Sequence, residues 1–199
     1  MSNLMIKKQS KAKQASTIAV TAALYATFFL LSFSIAVPNF TLLYLPIILL
    51  GVFPLWFGWS GLVGSMIGAF IGGFYVEALP LHLAWVEITT VLVIYSLNWL
   101  LIPKMAAGAN TKKGMVILSV VYATSLLLGT SFILWQFTAV GLFVPEFAWP
   151  LLPGTFALNL PFAVIACPAL IRAVSPKLKI WGMYSGNFAE WRSSRARAN

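Results

Sequence analysis

The chain has 199 residues, of which 60% are hydrophobic and 9% charged, with a formal net charge of +9. Soluble domains carry about 25% charged residues, so the composition excludes an ordinary soluble domain and predicts an all-α integral membrane protein. The positive excess flanks apolar runs, where topology and anionic-lipid contact account for it; a nucleic-acid partner is not expected.

In chain order, residues 1–15 form a basic, polar leader. The first apolar run, 17–37, ends at Pro38-Asn39. It is longer than a signal-peptide core of roughly 7–15 residues and reads as a retained helix. The second run covers 41–57, with Pro46 and Pro54 inside, and the third covers 60–76. Both are short and read as one hairpin shielded by its neighbours. The fourth, 81–102, is stopped by Pro103, and a polar loop, 104–114, follows. The fifth covers 115–140 and leads into a Pro- and aromatic-rich connection, 141–153. The sixth, 154–174, contains Pro161 and Pro168 as kinks, which membrane helices tolerate where neighbours satisfy the freed carbonyls. Most of these lengths suit a hydrocarbon core that needs about 20 helical residues. The basic tail, 176–199, mixes cations with aromatics and reads as an interfacial stretch that frays beyond Gly186.

Laid across a bilayer as a six-helix bundle, 16–175, these runs put every Lys and Arg on one side. They are Lys7, Lys8, Lys11, Lys13, Lys104, Lys112, Lys113, Arg172, Lys177, Lys179, Arg192, Arg195 and Arg197. The positive-inside bias then predicts both termini in the cytoplasm and a multi-pass protein of the cell membrane.

Two small-residue faces stand out. Ala19, Ala22, Ala23 and Ala26 let another helix approach closely, as ordinary internal packing or as a docking face for a second membrane subunit. Gly61, Gly64, Gly68 and Gly72 make a similar face in the third run, where internal packing is the stronger reading. The outer side holds Glu77, His82, Trp85, Glu87, Trp135, Gln136, Glu146, Trp149 and Asn159. Glu87 is the most informative, because an acid inserted in a helix centre costs roughly 2.5–3.5 kcal/mol, less near an end. A ligand donor or cation, a coupled proton or an interfacial water would offset that cost. Glu87 and Asn98 share a helix face, as do Ser125, Gly129 and Gln136; interhelical hydrogen bonding competes with a cavity as their explanation. Trp85, Trp135 and Trp149 belong to an aromatic belt or wall a pocket for a flat or cationic ligand.

A lone histidine with scattered carboxylates makes no transition-metal set, and no cofactor is expected. Cys167 reads as a small packing residue. A Glu77–His82 acid–base pair can be written down, but neither a nucleophile motif nor a metalloprotease motif accompanies it.

The Ala-rich first run (Ile18-Ala-Val-Thr-Ala-Ala-Leu-Tyr-Ala26), the Leu45-Pro-Ile-Ile-Leu-Leu-Gly51 run and the Gly-rich third run from Gly58 to Gly68 resemble the substrate-binding S-component of energy-coupling factor (ECF) transporters. The resemblance covers about residues 15–175. It implies a bundle that captures a vitamin-like micronutrient outside and topples within a module of a transmembrane coupling subunit and ATPase subunits. The coupling contact would fall on Ala19, Ala22, Ala23 and Ala26. The pocket, built from later helices and the first outer loop, would map onto Asn39, Glu87, Gln136, Trp149 and Asn159. The cobalt and nickel members carry a histidine after the initiator, where this chain has Ser2; that subgroup is disfavoured.

The expectation is a non-enzymatic substrate-capture subunit, with Glu87 contacting the ligand, Trp85, Trp135 or Trp149 walling it, and Gln136 and Asn159 orienting it. The alternatives are a self-contained proton-coupled transporter using Glu87 and His82, and a small intramembrane enzyme.

Overall fold

The computed structural model describes residues 10–32, 36–37, 40–75, 77–104, 106–107 and 109–196. Among them the regular structure is helical apart from one two-residue ladder. The order is α1 (Lys11–Leu31), β1 (Ala36–Val37), β2 (Phe40–Thr41), α2 (Ile47–Tyr75), a 3-10 turn (Leu81–Leu83), α3 (Trp85–Leu101), α4 (Lys112–Ala139), α5 (Pro145–Pro161), a π-helical segment (Phe162–Ala166), α6 (Cys167–Ile180) and α7 (Phe188–Ala196). β1 and β2 pair antiparallel, Ala36 opposite Thr41 and Val37 opposite Phe40. Five helical stretches among the described residues are long and apolar enough to cross a membrane, the last being the continuous run Pro145–Ile180.

The expected second and third runs form the single element α2, which folds back on itself at Gly58. There the backbone takes φ 51° and ψ −129°, a region that suits a residue without Cβ. A Cβ built at Gly61 would lie 3.2 Å from the Phe53 carbonyl oxygen, a proximity that a continuous helix forbids at 1.5 Å rise per residue. The first arm, 47–57, runs alongside α5 and α6: Tyr44 meets Asn159, Gly51 meets Cys167 and Trp56 meets Ser175. The second arm, 59–75, runs parallel to α1, with Gly64 against Thr21, Gly68 against Tyr25 and Gly72 against Phe29. The glycine face is therefore the seat of α1, and side chains there would force the helices apart.

Pro54 and Pro168 each remove the amide that would bond the carbonyl four residues earlier. Both carbonyls find a substitute on a neighbouring helix. Asn98 Nδ2 on α3 donates to Leu50 O at 3.0 Å, and Ser119 Oγ on α4 donates to Val164 O at 2.7 Å. Tyr122 adds a bond from its hydroxyl to Gly51 O at 2.7 Å. Interhelical hydrogen bonding thus accounts for Asn98, and the π-helical segment lies just before Pro168.

The expected connection at 141–153 is largely helical, as the first turns of α5, with Pro145 near the N-terminus where its missing amide costs little. The tail does not fray at Gly186. Asn187 caps α7 reciprocally, its Oδ1 accepting from Glu190 N at 2.9 Å while its backbone N–H donates to Glu190 Oε2 at 3.3 Å. Trp99 holds this helix through Gly186 O at 3.1 Å and through ring contacts with Phe188 and Trp191.

Candidate functional site

The site begins with the segment between β2 and α2, whose backbone is not helical and needs partners in an apolar setting. Three side chains from distant parts of the chain supply them. Thr41 N donates to Glu77 Oε1 at 2.9 Å, Tyr44 N to Asn159 Oδ1 at 2.7 Å and Leu45 N to Ser32 Oγ at 2.9 Å. Asn159 Nδ2 donates in turn to Leu42 O and Thr155 O, both at 2.8 Å. This loop closes one wall of a cavity at the end of the bundle opposite the basic residues.

The cavity has a volume of about 30 Å³ and is lined by Phe40, Thr41, Tyr44 and Ile47 of the loop and α2. Glu77 lines it too, together with residues of α3, α4 and α5 that include Thr90, Gly129, Thr130, Thr155 and Asn159. That volume holds about two waters and falls far below the roughly 300–1,000 Å³ of pockets filled by drug-sized ligands. Phe40, Phe137 and Phe143 meet edge to face, with centroids 5.3–6.1 Å apart, and form an apolar cluster beside it.

Two acids meet next to this space. Glu87, fully buried on α3, and Glu77, buried beyond the end of α2, bring their carboxyls against each other. Tyr44 Oη reaches Glu87 Oε2 at 3.5 Å and also hydrogen-bonds Tyr25 Oη. Neither Glu77 Oε2 nor Glu87 Oε1 has a donor among the described residues, and the hydroxyls of Thr41 and Thr155 are likewise unpartnered. Burial pushes the Glu77 carboxyl well above its usual range, against the hydrogen bond from Thr41 N that favours its charged form. Two adjacent carboxylates in an apolar setting repel, so the pair suits a bound proton or cation.

The expected site residues divide into three groups. Asn159 lines the cavity, but its amide is engaged by the loop and by Thr155 O, and Glu87 adjoins the cavity through Tyr44 without lining it. Gln136 is buried and cross-links α4 to α3, donating to Thr89 Oγ1 at 2.6 Å and accepting from Thr90 Oγ1 at 2.9 Å. Trp85, Trp135 and Trp149 stand 44%, 55% and 43% exposed and face away from the cavity. Asn39 lies outside the described residues. His82 is exposed on the 3-10 turn and is not brought to Glu87. Of the alanines on α1, Ala22 is buried against Gly68, Ala26 is half-buried, and Ala19 and Ala23 are exposed. Sequence reasoning did not single out Phe40, Thr41, Tyr44 or Thr155, and it grouped Glu77 with His82 rather than with Glu87.

Among the described residues no group of three or more His, Cys, Asp or Glu side chains forms a metal site. Comparison with protein-family profiles, with characterised proteins and with solved structures returns no match to this chain.

Proposed function

We propose that the protein is a substrate-capture subunit of an uptake transporter for a vitamin-like micronutrient. It would work with a separate transmembrane coupling subunit and with ATPase subunits. The observation that carries this reading is the cavity at the non-basic end, walled by a loop that three side chains tether to the bundle. Counting the arms of α2 separately gives six crossings, and the clustering of Lys and Arg at one end supports cytoplasmic termini in the cell membrane. The cavity then opens outward. A space of about 30 Å³ is too small for a vitamin-sized molecule, so on this reading capture requires the 40–46 loop and the Phe40 cluster to move. On α1, Ala19 and Ala23 offer a small-residue surface where a coupling subunit approaches closely.

The Glu77–Glu87 pair favours a second reading, a self-contained proton-coupled transporter in which Glu77 takes the place expected of His82. Native mass spectrometry of gently purified protein separates the two when combined with reconstitution of the chain alone. A stoichiometric small molecule, with no transport by the isolated chain, supports the capture subunit. Proton-gradient-driven uptake into liposomes holding only this chain overturns it.

A further inference from the structure

The geometry points to a primary ammonium group as the chemical handle that the cavity recognises, bound between Glu77 and Glu87; this rests on the capture reading above. Four buried oxygens at or beside the cavity lack a hydrogen-bond partner among the described residues. Glu77 Oε2, Glu87 Oε1, Thr41 Oγ1 and Thr155 Oγ1 are all buried and unpartnered, and they come from four separate segments. Thr41, Glu77 and Thr155 line the cavity directly, while Glu87 adjoins it through Tyr44. An ammonium group has three donors and no acceptor, which suits two carboxyl oxygens and one threonine hydroxyl.

Charge selects the same chemistry. No lysine, arginine or histidine among the described residues pairs with either acid. One carboxylate, one carboxyl that keeps its proton and one ammonium sum to zero, so occupancy leaves no net charge buried. A ligand presenting a carboxylate or phosphate here would add a third negative group to two acids. A quaternary ammonium balances the charge but leaves the orphaned acceptors without donors. The other titratable groups packed against the pair are the hydroxyls of Tyr25 and Tyr44, which supply no positive charge. The volume of about 30 Å³ fits the head group alone, and the body of a larger ligand would displace the Phe40 cluster.

The test uses the full chain in detergent, with methylammonium chloride as probe and with tetramethylammonium and sodium chlorides at equal ionic strength. Methylammonium is a fragment, so its affinity is expected in the millimolar range. At 100 mM it should raise Tm by about 3 °C, with neither control doing so. Glu77→Gln and Glu87→Gln should each abolish the rise, and Thr155→Val should reduce it. An equal rise with sodium would assign the site to a hard ion, and an equal rise with tetramethylammonium would assign it to charge without donors; either overturns the proposal. No rise in the wild-type chain, or a full rise in both glutamine variants, overturns it as well. A co-purified neutral or anionic molecule would then leave the capture reading standing, whereas an empty protein would count against both.

Discussion

Asn98 donates its side-chain amide at 3.0 Å to the carbonyl of Leu50, the acceptor that Pro54 leaves without its helical donor. The proline and the asparagine lie on different helices, yet each makes the other tolerable. Asn98→Leu removes the donor and leaves a buried carbonyl unpaired, which costs about 1–3 kcal/mol. Pro54→Ala restores a backbone donor to the same carbonyl. The double variant should therefore lose less stability than the sum of the singles, and the coupling is read from thermal unfolding in detergent across the four proteins. Additive losses would show that the two sites are independent.

Gly68 seats α1. A Cβ there would lie 2.6 Å from Tyr25 Cβ and 2.8 Å from Ala22 O, and neither atom belongs to the flexible end of a side chain. Gly68→Ala should cost about 1–3 kcal/mol as an overpacked contact. Midpoints of unfolding for Gly68→Ala and wild type check this, with Gly154→Ala as control, since nothing lies within 4 Å of a Cβ at Gly154.

The Glu77 carboxyl should make stability depend on pH. Its folded value is raised by burial above the roughly 4.3 of an unfolded glutamate, so the folded state binds its proton more tightly. The resulting stabilisation is fully present below the unfolded value and is lost as pH rises through the folded one. Thermal midpoints should fall between about pH 4 and pH 8, and Glu77→Gln should flatten that fall. An unchanged slope in the variant would assign the dependence to another group.

Ala23 is exposed on α1, so Ala23→Trp should leave the unfolding free energy within about 0.5 kcal/mol of wild type. On the capture-subunit proposal, it should also impair uptake in cells while ligand capture by the purified protein persists. Normal uptake and normal co-purification with partners would mean that this surface meets only lipid.

The helical class was readable because hydrophobic transfer is local: runs of about 20 apolar residues declare themselves wherever they lie. The turn at Gly58 was less legible, since one positive φ inside an apolar stretch leaves no compositional trace. Glu87 stood out as an acid in an apolar run, but its partners did not. Tyr44 lies 43 residues away, and only the fold brings the two together. The tryptophans illustrate a different limit. Trp135 and Gln136 are adjacent, and successive residues of an α-helix point about 100° apart, so one faces out while the other cross-links α3 and α4. Nearness in sequence to a polar residue therefore carried no information about whether a tryptophan lines the cavity.

The fold-back at Gly58 also limits what the first arm can do alone. The first arm of α2, residues 47–57, covers only about 16 Å at 1.5 Å per residue, short of the roughly 30 Å of a hydrocarbon core. On its own it makes a poor spanning segment, and it gains a stable place only once the second arm and its neighbours α5 and α6 are present.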